Sequence, residues 1–175
     1  MNSIIVFHFA GKTLRDGSKH PEPGTTLPHI DNPIPCERGY HGSEDIIDAL
    51  TYAPGNYLCK RELFGTVIEH GDPVDKHCAS DALQLTPYVD VSDVLVRFAR
   101  YCALTALRVD AANALRKAGL IEHANSLSTL QDDCDMNSAR DAARDAAWDA
   151  AWAAGAAGDA RRTEQRAWLL NELSK

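Results

Sequence analysis

The hydrophobic rhythm of this chain changes near Pro87. Before it, apolar residues come in short β-branched and aromatic runs cut by turn residues; seven of the eight prolines and eight of the eleven glycines lie there. After it, alanine and leucine dominate and apolar positions recur at helical spacing. The run Ile4-Ile5-Val6-Phe7-His8-Phe9-Ala10 predicts a core strand over 4–10. Asp16-Gly17, Pro21, Pro23-Gly24, Pro28, Pro33 and Pro35 mark 15–36 as loop, with a short strand around 25–27. Ile46, Ile47 and Leu50 share one face of a helix over about 44–52, with Ser43 as its cap and Pro54-Gly55 as its stop. Residues 57–68 read as a strand pair or one bent strand with Gly65 as a bulge, followed by a turn at Gly71-Asp72-Pro73. A strand near 82–85 closes this sheet.

In the second half, Val91, Val94, Leu95, Phe98 and Cys102 trace an amphipathic helix over about 92–107. Further helices are expected over 110–117, ended by Gly119, and over 120–130, before a polar joint at Asp132-Asp133-Cys134-Asp135. Ser138 then caps a long helix, with Asp141 three residues on. Residues 139–154 repeat a four-residue unit, Ala-Arg-Asp-Ala passing to Ala-Trp-Asp-Ala and Ala-Trp-Ala-Ala. Each unit turns a helix by about 400°, so equivalent positions drift by about 40° and wind around it instead of forming a heptad seam. Trp148, Trp152 and Trp168 are the large apolar groups of this tail. They either anchor it onto the body, the reading preferred for large aromatics, or form a partner-binding surface. Gly155 and Gly158 break the helix before a last segment ending at Leu173. The expectation is an α+β fold: a small, loop-rich antiparallel sheet in 1–86 packed against helices in 87–175, one continuous domain whose Ala-rich tail can protrude.

Composition narrows the function classes. The chain has 175 residues, 45% hydrophobic and 25% charged, with a formal charge of -7. That is globular composition, and its acidity argues against general binding to DNA, RNA or anionic membrane. No run approaches the roughly 20 apolar residues of a membrane span. The apolar N-terminus lacks a basic leader and reads as a strand, not a signal peptide. Cys36, Cys59, Cys78, Cys102 and Cys134 are odd in number and widely spaced, without a C-x-x-C pair. Reduced thiols packed as small hydrophobes are expected, which fits cytoplasm.

The densest chemical signal is Gly39-Tyr40-His41-Gly42-Ser43, followed by Asp48-Ala49-Leu50-Thr51-Tyr52-Ala53-Pro54-Gly55. A histidine between two glycines, one step before a helix, suits a reactive site; it equally suits a tight strand-to-helix joint. With Cys59-Lys60-Arg61-Glu62-Leu63-Phe64-Gly65 and Asp75-Lys76-His77-Cys78-Ala79, these elements resemble, in order, a bacterial and phage family to which no activity is assigned. Gly42 stands where that family more usually has alanine, and Arg61 where it has valine. The resemblance spans roughly 36–107 and implies a phage, prophage or mobile-element setting; it implies no reaction.

His41 with Ser43 also resembles, weakly, the nucleotide-gripping histidine of ADP-ribosyltransferases, which need a late catalytic glutamate; Glu62 and Glu69 are the residues of that type. Against this stands a histidine whose ring ties strand to helix through backbone hydrogen bonds. His70, His77 and Cys78 could join His41, Cys36 or Cys59 around a metal, but they lack close ligand pairs. Neither metal nor cofactor is therefore expected. Asp75-Lys76 reads as a solvated turn, and Arg97, Arg100, Arg108, Arg116 and Lys117 as a polar helix face. The leading expectation is a non-enzymatic protein of phage or mobile-element origin that binds a host or phage protein; an anti-CRISPR-like inhibitor of a bacterial defence complex is its concrete form. The alternative is a nucleotide-binding or ADP-ribosyl-transferring enzyme centred on His41. The Ala/Trp-rich tail offers a third use, self-association.

Overall fold

The computed structural model describes residues 3–131 and 158–175. The N-terminal half is a curled antiparallel sheet and the C-terminal half is helical, an α+β fold. Two compact units divide the chain: residues 1–95 with 170–175, and residues 96–169. The repeat at 139–154, with Trp148, Trp152 and Cys134, lies outside the described residues.

In the first unit, β1 (Ile4–Ala10) pairs with the long β3 (Tyr57–His70), which pairs with β4 (Lys76–Gln84); β4 in turn carries the short β2 (Tyr40–Gly42). A two-residue β5 (Val89–Asp90) meets the start of β3. The sheet does not end at β2. Phe7 N–H donates to the Ser43 carbonyl at 2.8 Å, and Ser43 N–H to the Phe7 carbonyl at 3.1 Å. This bridge carries the chain just after β2 back onto β1, so the curl nearly closes on itself and few edges stay open. Gly65, at φ +75°, sits where the β3–β4 register shifts between Phe64 and Val67, the bulge its sequence predicts. Inside the curl Val6, Leu63, Ala79 and Ala82 form a buried cluster, flanked by Ile4, Leu27, Tyr40 and Val67.

Ser43 does not cap the following helix. Its backbone is spent on β1, and α1 (Ile46–Thr51) starts two residues later, with the Asp45 carboxylate accepting Ile47 N–H at 2.8 Å. The expected strand near 25–27 contracts to a single bridge between Thr26 and Leu83. β4 begins well before the expected 82–85, since its polar first half, Lys76 to Asp81, is sheet too.

In the second unit, the helix that starts as α2 (Ser92–Thr105) does not break before Asp110. It runs through a π-helical turn (Ala106–Ala111) into α3 (Ala112–Lys117). Gly119, at φ +80°, ends it as expected. Ala111, Ala112 and Leu115 pack with Ala124 and Leu127 of α4 (Ile121–Ser128), and Arg116 reaches Ser128 Oγ at 2.7 Å. The final helix α5 (Gly158–Leu173) brings Trp168 onto Tyr101, ring centroids 5.0 Å apart and nearly parallel, beside Phe98 at 5.8 Å. Arg161 grips Asp110 with both terminal nitrogens, at 2.6 and 2.7 Å. Among the described residues no helix is long and apolar enough to cross a membrane.

Candidate functional site

The first unit holds a cavity of about 1180 Å³, bounded by β1, β2 and the loops before and after them. The glycine-flanked histidine stands on its wall, and both glycines have packing reasons. At Gly39, φ is +133° and an added Cβ would lie 2.5 Å from Cys78 Sγ. At Gly42 the obstacle is β1 itself, with Val6 Cγ2 at 2.3 Å and the Phe7 carbonyl oxygen at 2.9 Å from such a Cβ. β2 reaches β1 closely enough to close the curl only because residue 42 has no side chain.

His41 is bound into the same joint. Its Nε2 accepts Cys36 N–H at 3.1 Å, which leaves the hydrogen on Nδ1, and the Gly39 and Ile34 carbonyls lie at the ring. Its own carbonyl accepts the Nδ1–H of His8 at 2.9 Å. Burial, then the charge of Lys76, lowers the His41 pKa from its ordinary value, so the ring is a neutral fastener between β2 and the loop at 34–38. Ser43 is 1% exposed. Neither Glu62 nor Glu69 lines the cavity.

Around the joint lies a cluster that the sequence reading missed. Lys76 is buried, not part of a solvated turn: its Nζ donates to Cys36 Sγ at 3.0 Å and sits 3.7 Å above the centre of the Tyr52 ring. Tyr52 donates to Asp75 at 2.7 Å. Cys36, exposed and at φ +67°, also has His70 Nε2 at 3.6 Å. His77 is buried with Nε2 3.2 Å from Glu44, and Cys78 Sγ donates to the Arg38 carbonyl at 3.4 Å. The histidines and cysteines singled out by sequence are thus dispersed, and among the described residues no three His, Cys, Asp or Glu converge as metal ligands.

A second missed feature is Arg61. Register puts it opposite Val6 and Gln84, on the inward face with Cys59 and Leu63, and it is 4% exposed. Nε donates to Gln84 Oε1 at 3.1 Å and Nη2 to the Tyr88 hydroxyl, whose ring lies below the guanidinium carbon at 5.6 Å. The Cys59 thiol is a further polar neighbour. All three partners are neutral: burial raises the pKa of both Tyr88 and Cys59. Burial and then the field of Arg61 push His8 down to about 3. A guanidinium buried among neutral groups costs several kcal/mol that only a counter-charge or many hydrogen bonds offset. The signal was in the sequence, since Cys59, Arg61 and Leu63 alternate onto one face and a charge there breaks the apolar pattern.

Comparisons of the chain with protein-family models, with curated proteins and with solved structures give no match.

Proposed function

We propose that this protein acts by binding and not by catalysis: a protein of phage or mobile-element origin that works in the cytoplasm of a bacterial host by engaging a host or phage protein. An anti-CRISPR-like inhibitor of a defence complex is the specific form. The observation that carries the non-catalytic reading is the use to which His41 and Ser43 are put. The His41 ring accepts a backbone N–H and contacts two carbonyls, Ser43 borders the cavity but is only 1% exposed, and its backbone joins β2 to β1. A nucleotide-gripping histidine would need a ring nitrogen free for the ligand and a carboxylate across the cleft. The setting itself rests on the resemblance of residues 36–107. Trp168 contributes to its own unit through Tyr101 and Phe98, so a partner surface on this tail would centre on Trp148 and Trp152.

The test pairs a chemical assay with a binding assay. NAD should be neither hydrolysed nor used to modify host proteins. Purified CRISPR effector complexes of the host should co-elute with the protein at fixed stoichiometry and lose nuclease activity. His41→Ala should cost about 1–2 kcal/mol of stability, from the orphaned Cys36 N–H and the lost ring packing. Inhibition by this variant should fall only in proportion to its folded fraction. ADP-ribosyl transfer that His41→Ala abolishes at unchanged melting temperature would establish the enzyme instead.

A further inference from the structure

We propose that the cavity of the first unit is a receptor for a small organic oxyanion, a carboxylate or phosphate on an apolar body, with the Arg61 guanidinium as its anchor. This goes beyond the protein-binding reading and does not depend on it. Arg61 is a wall residue of the cavity and is almost wholly buried. Gln84 and Tyr88 hold Nε and Nη2, which fixes the plane of the fork, and beyond these two and the Cys59 thiol no hydrogen bond from the five N–H groups of the fork to a described residue is seen. No described carboxylate lies within ion-pair distance of it. Asp16 and Glu37, the carboxylates on the cavity wall, are both exposed. Lys76, the other buried cation on this wall, is likewise held by a thiol and an aromatic ring and not by a carboxylate.

Two buried positive charges without counter-ions give the cavity a potential that attracts an anion, and a planar fork with unused donors suits an oxyanion in particular. The neighbours that could neutralise the site by ionising stay neutral. The remaining wall favours an organic body: Leu27 and Pro28 line it, and the volume accommodates a ligand much larger than a free ion. His8, neutral and donating from Nδ1 to the His41 carbonyl, keeps its Nε2 lone pair as an acceptor beside the guanidinium. A ligand hydroxyl or amide next to the anionic group would meet it.

Melting curves and calorimetric titrations with benzoate, phenyl phosphate and the neutral benzamide test this. At least one of the two anions should raise the melting temperature saturably, while benzamide does not. Benzoate alone identifies a carboxylate site, phenyl phosphate alone a phosphate site, and both a general oxyanion site. Arg61→Met should melt at or above the wild-type temperature without ligand, since it removes a buried charge, yet bind the active probe on the order of tenfold more weakly or worse. Should that variant fail to fold, the nitrogen-15 resonance of Arg61 Nε in the wild-type protein gives a second reading, and it should move in step with occupancy. The proposal is overturned if neither anion binds, if benzamide binds equally well, if Arg61→Met retains full affinity, or if the Arg61 resonance stays still at saturation.

Discussion

Replacing Gly42 by alanine is expected to destabilise the first unit by about 3 kcal/mol, lowering its melting temperature by about 10 °C or more. The φ of Gly42 is not among the positive ones, so the conformational argument for glycine does not apply; the effect is steric. The new Cβ would stand 2.3 Å from Val6 Cγ2 and 2.7 Å from Val6 Cβ, distances at which something must move. Val6 is 1% exposed and packed against Leu63, so it has no empty rotamer to take. The third obstacle, the Phe7 carbonyl oxygen at 2.9 Å, is backbone and accepts the Ser43 N–H that closes the curl. Either β1 or β2 must shift, and the bridge between them goes with the shift. Gly17→Ala is the control: φ is +82° there and nothing lies within 4 Å of an added Cβ, so only the backbone term of about 1 kcal/mol applies. Thermal melts of the two variants side by side decide the point. If Gly42→Ala melts within about 2 °C of Gly17→Ala, the close-approach account is wrong.

That contrast also marks how far the sequence alone could be read. Local punctuation was legible: the strand at 4–10, the bulge at Gly65, the stop at Gly119 and the end of the last helix at Leu173 follow from residue type and spacing. What could not be read depends on non-local pairing. Ser43 has the chemistry of a cap, but the β1 backbone claims it first and Asp45 takes the role. The first half of β4, Lys-His-Cys-Ala-Ser-Asp, has no alternation to announce a strand, because neighbours on both sides and a curled sheet bury nearly every position in it. The helix over 92–117 looked broken because the apolar spacing slips near Val109, and the chain absorbs the slip in a π-helical turn.

For the site, the glycine-flanked histidine is the densest local signal in the sequence, yet density arises as readily from a crowded joint as from chemistry. Each part of Gly-Tyr-His-Gly-Ser has a packing or pairing duty: Gly39 against Cys78, Tyr40 to the Pro28 carbonyl, His41 to Cys36, Gly42 against Val6, Ser43 to Phe7. The more unusual physics lies two residues from Cys59, where a charge occupies an inward strand position. An amphipathic pattern broken in this way is a better pointer to a ligand than a motif that the fold accounts for completely.

The second large effect is on acid stability. The His8 pKa is lowered from about 6.5 to about 3, first by burial and then by Arg61, with His41 and His20 adding their charges when protonated. The carbonyl bond from His41 opposes this, but does not overcome it. Between those values the unfolded chain binds a proton that the folded protein refuses. Stability from this group is therefore fully present above about pH 6.5 and is lost progressively as pH falls toward 3. The limiting slope is about 1.4 kcal/mol per pH unit for one histidine. His41, lowered in the same direction, adds to it. His29 runs the other way, raised by its bond to Asp81, but it is fully exposed and contributes little. Asp16, Asp81 and Asp90 are held below the usual carboxylate range by hydrogen bonds from neighbouring side chains, so their losses come at lower pH and leave the upper window to the histidines. Urea denaturation at steps from pH 7.5 to 4.5 should show stability falling by about 2–3 kcal/mol below pH 6.5. His8→Gln, which keeps a donor for the His41 carbonyl and cannot titrate, should remove most of that fall. An unchanged slope in this variant would shift the acid sensitivity away from His8, and with it the case that the Arg61 field reaches across the cavity wall.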